Sequence, residues 1–445
     1  MSAFSSKPRE VVISGVGVIC PLGLSGNELW EGICQNRSGI RRFSLVPGTG
    51  EGGSGSEEEP VKVAAPIDRF TGNPEDFGPL PAEISKPLRK GLKLMSRESQ
   101  MAVAAALRAL QDAGWKPGMF DPQRCGVSFG CDYLLSVPEE FIAAIAACCE
   151  DGRFLFAKWG EAGLGKMNPL WLLKYLPNMP ASHIAIYCQF CGPSNSITLR
   201  EASALVGLGE AERLIADGHV ELMVVGATGS WLHPMKMIHA LTQQQVACDG
   251  DPETACCPFD RRRRGLVLGE GAAAVVVESR ESAQARSAPI YGRIVTTAAA
   301  AAIGIDGQPH YRRALELVMQ RLLERAGRHP EDIAFISAQG LGTRFADREE
   351  AQAIARAFGS RSQPVPVVAT KSYFGHLGAG SAVAELIAGL MALKHRQLYP
   401  IRNYRVPDPD CPIRAAEREE LPSPAAFVQL AFTPSGQAAG VLLEG

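Results

Sequence analysis

Three short stretches place side chains capable of chemistry close together. Residues 192–201 read Gly192-Pro193-Ser194-Asn195-Ser196-Ile197-Thr198-Leu199-Arg200-Glu201. Residues 337–350 hold Gln339, Asp347 and Glu350, and residues 370–376 hold Lys371 and His376. Lys371 and Glu350 suit an internal ion pair that ties two loops together. Glu201 suits a helix start, where free amides and the helix dipole favour an anion. Gln339 suits local hydrogen bonding, and His376 suits a structural imidazole. Cys188 and Cys191 form a C-x-x-C, but no second pair stands at zinc-ligand spacing. Adjacent Cys256 and Cys257 suit small buried hydrophobes. No metal and no cofactor is expected from these residues.

The elements that must carry these residues alternate between strand and helix. Val11 to Val18 is a continuous apolar run with Gly15 and Gly17 inside it, a buried strand. Gly15-x-Gly17 has no third glycine at dinucleotide spacing, so a nucleotide fold is rejected. Residues 96–113 place apolar side chains at helical spacing behind Ser96, a suitable N-cap. Residues 124–130, 220–226 and 334–338 read as buried strands; 201–217 and 312–326 read as helices. A last strand covers 440–444. Strand and helix alternate throughout, which predicts an α/β fold of two similar halves, 9–288 and 289–445. Residues 48–59 (GTGEGGSGSEEE) are expected to form an exposed flexible loop.

The chain has 445 residues, 45 basic and 47 acidic side chains, and a formal net charge of -2. That balance argues against bulk nucleic-acid binding. Arg261 to Arg264 is the one dense basic run, expected to be a solvated loop. No apolar stretch reaches the length of a membrane span, and the polar start lacks a signal peptide's apolar core. A cytoplasmic protein is expected, its 12 cysteines reduced and scattered.

The ordered motifs resemble those of elongating β-ketoacyl-acyl-carrier-protein synthases. Gly192-Pro193-x-x-Ser196-Ile197 is similar to the run that leads, in that family, to Thr-Ala-Cys. Asp260 through Gly269-Glu270-Gly271, Ser337-Ala338-Gln339-Gly340, the acidic pair Asp347 and Glu350, and Thr370-Lys371-Ser372-x-x-Gly375-His376 follow in the family's order. The resemblance implies a thiolase fold, a five-layered αβαβα body. It also implies a site in which a cysteine thiolate holds an acyl chain and two histidines stabilise an enolate. Matched without a gap, the cysteine position holds Glu201 and the first histidine position holds Gln339. His376 stands at the second histidine position, with Lys371 and its expected partner Glu350. The gating loop Asn-Ser-Phe-Gly-Phe-Gly-Gly-Thr-Asn is matched by residues 430–438, with Pro434 inside.

A carboxylate is a poor acyl carrier, so the resemblance implies a non-condensing, chain-length-factor-type subunit. The expected partners are an active ketosynthase in a heterodimer (or a second copy in a homodimer) and an acyl carrier protein. The pairing is expected through 194–199. The alternatives are a malonyl-thioester decarboxylase and a synthase of unusual chemistry. Glu201 is expected to lie ionised at the helix start, accept amide bonds there and pair with a protonated His376.

Overall fold

The computed structural model describes residues 8–45 and 59–445, so the acidic loop expected at 48–59 falls outside them except for Glu59. Eleven strands form one hydrogen-bonded series: β1 (Val11–Ile19), β2 (Cys125–Cys131), β3 (Ser194–Ile197), β4 (Leu222–Ser230), β5 (Glu270–Ser279), β6 (Gly292–Ala301), β7 (Ile333–Ser337), β8 (Pro366–Val368), β9 (Arg414–Ala415), β10 (Ala426–Phe432) and β11 (Gln437–Glu444). Their spatial order is β9-β8-β7-β10-β11-β6-β1-β5-β4-β2-β3. The join in the middle is slight: β1 meets β6 only at Val12↔Arg293 and Ile13↔Gly292. On either side of that join the same arrangement occurs twice. The set β1-β5-β4-β2-β3 is paired antiparallel, antiparallel, parallel, parallel, and β6-β11-β10-β7-β8 repeats that series.

Six helices complete the layers: α1 (Arg97–Asp112), α2 (Met179–Cys188), α3 (Ser203–Ala216), α4 (Tyr311–Ala326), α5 (Arg344–Ala357) and α6 (Ser381–His395). α1 and α2 pack on the outside of the first sheet, α4 and α5 on the outside of the second. α3 and α6 lie between the sheets and touch both. The result is the expected five-layered αβαβα body. α6 is buried without interruption from Ser381 to Leu393, as a helix sandwiched between two sheets must be. Leu205 and Leu208 of α3 share a core with Val441 and Leu443 of β11.

The helix starts follow the residues. Ser96 accepts the Ser99 amide and caps α1 as its type suggests. The glycines of β1 serve packing. A Cβ on Gly17 would lie 2.1 Å from the Ala105 carbonyl oxygen, and one on Gly15 would lie 2.3 Å from that of Ala109. They bring α1 against the sheet and have no nucleotide to bind. One member of the arginine run departs from expectation. Arg263 is buried, donating to the carbonyls of Asp260, Thr343 and Arg344 and pairing with Asp408. Arg262 pairs with Asp260 and Arg264 with Asp249. Arg263 alone is an internal clasp, buried where only a well-paired guanidinium can be, while Arg261, Arg262 and Arg264 are exposed as a solvated loop would be. Gly17→Ala should lower stability by about 2–3 kcal/mol in urea unfolding, from overpacking against α1. Gly160→Ala, with nothing within 4 Å of the new methyl, should change it little.

Candidate functional site

The first half of the site is a turn between strand and helix. After β3 the chain passes Thr198 and Leu199, and Arg200 adopts φ +49. This left-handed conformation is costly for a residue with a Cβ. Arg200–Ala202 then form a 3₁₀ turn that leads into α3. The sharp bend projects Glu201 into the interior. The second half comes from the other repeat, where β8 is followed by Lys371 and then by Gly375-His376 ahead of α6. The site therefore forms where the starts of the two central helices meet.

Glu201 and His376 are in contact, with His376 Nε2 3.1 Å from Glu201 Oε1. Both are buried; Glu201 is 3% exposed. Desolvation alone would raise the Glu201 pKa. The Arg200 charge, followed by the His376 hydrogen bond, outweighs it and holds the carboxyl down at about 2. Arg200 Nε lies 3.6 Å from Glu201 Oε2 and 3.9 Å from Asp132. Its guanidinium rests over Trp231, 5.2 Å from the ring centre, and Trp231 in turn tilts against the imidazole of His376.

Burial pushes the His376 pKa below its ordinary value, more than its contact with Glu201 raises it. The imidazole is thus neutral at neutral pH. Ionised Glu201 can only accept, so the proton sits on Nε2 and is donated to it, while Nδ1 faces Ser381 Oγ at 3.4 Å. Two expectations are corrected here. The cation that keeps Glu201 ionised is Arg200, because the desolvated imidazole does not protonate. Nor does Glu201 cap α3, which has no side-chain cap; the backbone group that favours the Glu201 charge is its own amide. Ser203 Oγ reaches back to accept the Leu199 amide at 2.9 Å, which ties the turn to the helix start.

Gln339, Glu350 and Lys371 form a second cluster next to the first. Glu350 accepts the amides of Gln339 (2.7 Å) and Gly340 (2.9 Å). Gly340 has φ +48, and a Cβ there would lie 2.7 Å from that of Ala369, so glycine is required. Lys371 Nζ donates to the Gln339 carbonyl at 2.9 Å and forms its ion pair with Glu385 of α6. Glu350 is therefore not the partner of Lys371; its oxygens are spent on the loop amides. Burial pushes Glu350 up to about 8 and Glu385 up to about 7. Asp347 accepts the amides of Phe259 and Gly342 and is pushed by burial to about 6. The Gln339 carboxamide turns away from the Glu201–His376 pair and bonds the backbone of Phe432.

A comparison against known families matches two models along the chain. The family model for the β-ketoacyl synthase N-terminal domain matches residues 8–283, and that for the C-terminal domain matches 291–405. The chain belongs to the β-ketoacyl synthase family. It is 32% identical over 425 residues to the actinorhodin polyketide putative beta-ketoacyl synthase 1 of Streptomyces coelicolor, covering 92% of this chain and 84% of that one. It is 28% identical to 3-oxoacyl-[acyl-carrier-protein] synthase 2 of Staphylococcus aureus, covering 93% and 92%. Among solved structures, a β-ketoacyl synthase from Burkholderia phymatum matches with a TM-score of 0.79 and 26% identity, covering 98% and 99%. The ishigamide ketosynthase/chain length factor matches with a TM-score of 0.79 and 25% identity over the same shares.

Within this ketosynthase fold, Arg200, Ser381 and Glu385 are site residues that the motifs did not reveal. Glu385 carries a usable signal: it is the one acid in the apolar run 381–393, and a carboxylate there must find a cation. Cys188 is buried at the end of α2 and Cys191 is exposed beyond it. Cys256 and Cys257 are buried as expected. Glu201→Gln tests the charge assignment. Ionised Glu201 contributes stability above its unfolded pKa of 4.5 and loses it as pH falls toward about 2. The deficit of the variant in urea unfolding should be largest above pH 5, at about 3 kcal/mol, and should shrink as the solution is acidified. A deficit that shrinks instead as pH rises through the imidazole range would restore a protonated His376.

Proposed function

We propose that this chain is a non-condensing subunit of the chain-length-factor type. It would partner a cysteine-bearing ketosynthase in fatty acid or polyketide assembly on an acyl carrier protein, in the cytoplasm. The two halves, 9–288 and 289–445, act as one body in this reading. The observation that carries it is Glu201: a carboxylate, held ionised beside Arg200, stands on the bend between β3 and α3. Such a group accepts hydrogen bonds but makes no stable thioester. Gln339 adds support, since its carboxamide is committed through Nε2 and Oε1 to the backbone of Phe432. The decarboxylase reading gains no comparable support, because enolate stabilisation needs donors aimed at the oxygen where charge develops.

A partner surface fits this reading. β3 is the outer strand of its sheet. The Val127 amide bonds the Pro193 carbonyl, so alternation turns Asn195 and Ile197 toward β2 and leaves the backbone groups of Ser194 and Ser196 on the open edge. Ser196 Oγ also donates to the Pro177 carbonyl, which ties β3 to the segment before α2. That segment and α2 expose Ile142, Phe156, Leu164, Leu172 and Ile186. Exposed apolar side chains in that number beside an open strand edge suit a protein partner.

Two measurements test the proposal. Incubated alone with acyl- and malonyl-carrier thioesters, the chain should show no covalent adduct by intact mass and release no carbon dioxide. A stable acyl adduct would overturn the non-condensing reading, and steady decarboxylation would favour the alternative. Ser196→Pro removes an outward amide that no strand among the described residues uses. It should abolish association, with a second copy or with a co-expressed ketosynthase, in light scattering while the monomer keeps its melting temperature within a few degrees. Ser196→Ala loses the same bond to Pro177 but keeps the amide, and should associate normally.

A further inference from the structure

We infer that Gln339 is a latch: its carboxamide holds the end of β10 closed over the Glu201–His376 pair and decides that thioesters are kept out. The inference stands on the geometry of this loop and does not need the proposed partnership. β7 ends at Ser337, whose last rung is with Gln429 of β10. β10 runs three residues further, to Phe432, beyond the reach of β7's own backbone. There the side chain of Gln339 supplies the missing rung. Its Nε2 donates to the Phe432 carbonyl at 2.9 Å, and its Oε1 accepts the Phe432 amide at 2.6 Å. A primary carboxamide carries a donor and an acceptor on one edge, as a peptide group does, so it can engage both polar groups of one residue. An imidazole has its two nitrogens on diverging edges and cannot. A carboxylate has no donor.

The latch is itself braced. The backbone amide of Gln339 goes to Glu350 and its carbonyl takes Lys371 Nζ. Every polar atom of Gln339 is thereby occupied within the chain, in a residue 1% exposed.

Phe432 is the piece being held. The end of β10 packs against the turn that carries Glu201. On its other side Phe432, with Tyr311, Leu341, Thr343, Phe345 and Pro434, lines a cavity of about 170 Å³. The Tyr311 and Phe432 rings lie 5.4 Å apart, and Tyr311 Oη donates to the Pro434 carbonyl at 3.2 Å. Thr433 is bonded to Gln437 across the following turn. Phe432 and its neighbours thus form the wall between this cavity and Glu201. Two buried bonds from one side chain hold that wall where the strand pairing has run out.

The test uses a thiol placed behind the wall. In Glu201→Cys, alkylation of the introduced thiol by iodoacetamide is followed by peptide-resolved mass spectrometry. The exposed Cys149 and Cys191 serve as references in the same sample. The introduced thiol should react at least roughly tenfold more slowly than either, and adding Gln339→Ala should speed it by at least roughly tenfold while the references stay unchanged. Hydrogen exchange gives a second readout without touching Glu201. With Gln339 present, the Phe432 amide should exchange as slowly as Leu430 within the strand, and Gln339→Ala should release Phe432 alone. The latch is overturned if the introduced thiol matches Cys149 with Gln339 in place, or if Gln339→Ala moves neither readout. Should Gln339→Ala fail to fold, the wild-type chain decides: a Phe432 amide that exchanges with the turn at 433–436, faster than Leu430, also overturns it.

Discussion

A buried carboxylate beside a buried, neutral imidazole is stable only where a cation stands within reach, and Arg200 supplies it. The arginine adopts φ +49 to do so. It lies over Trp231 and between the carboxylates of Asp132 and Glu201. Removing water from Glu201 would otherwise cost several kcal/mol. The bend between β3 and α3 places a charge and its counter-charge side by side. Trp231, Asp132 and His376 are arranged around that pair.

The neighbouring cluster obeys the same rule with different means. Lys371 is neutralised by Glu385 from the central helix, and Glu350 is satisfied by two loop amides. The loop that begins at Gln339 is thus fixed from three sides before its side chain reaches Phe432. Rigidity at this point comes from the buried hydrogen bonds that Gln339, Glu350 and Lys371 make within the chain.

The layered fold was legible in the sequence because buried strands and helices announce themselves by apolar runs and spacing. Val11–Val18, the Ser96 cap and the apolar faces of 201–217 and 312–326 all landed within a few residues of the observed elements. The position of Glu201 opposite His376 was legible from motif order. What the sequence could not disclose was the partner of each charge. Lys371 is nearer in sequence to Glu385 than to Glu350, yet a motif-based reading favoured the latter. Only the path of the loop after β7 shows that Glu350 is already taken. Likewise a run of four arginines reads as solvent-exposed until the fold buries Arg263 among carbonyls. Protonation was the other failure: whether His376 is charged depends on its burial, which no spacing encodes.

The central layer has a consequence for how the chain is made. α3 is covered on one side by β2 and β4 of the first sheet and on the other by β6 and β11, and β11 ends one residue before the C-terminus. During synthesis, at about 5–20 residues per second, the first sheet can assemble long before the second exists. Throughout that interval Leu205 and Leu208 lack the side chains of Val441 and Leu443 that later pack on them. Until β11 is made, the nascent chain carries an open apolar face, a period in which holding chaperones or an early partner subunit have the most to cover.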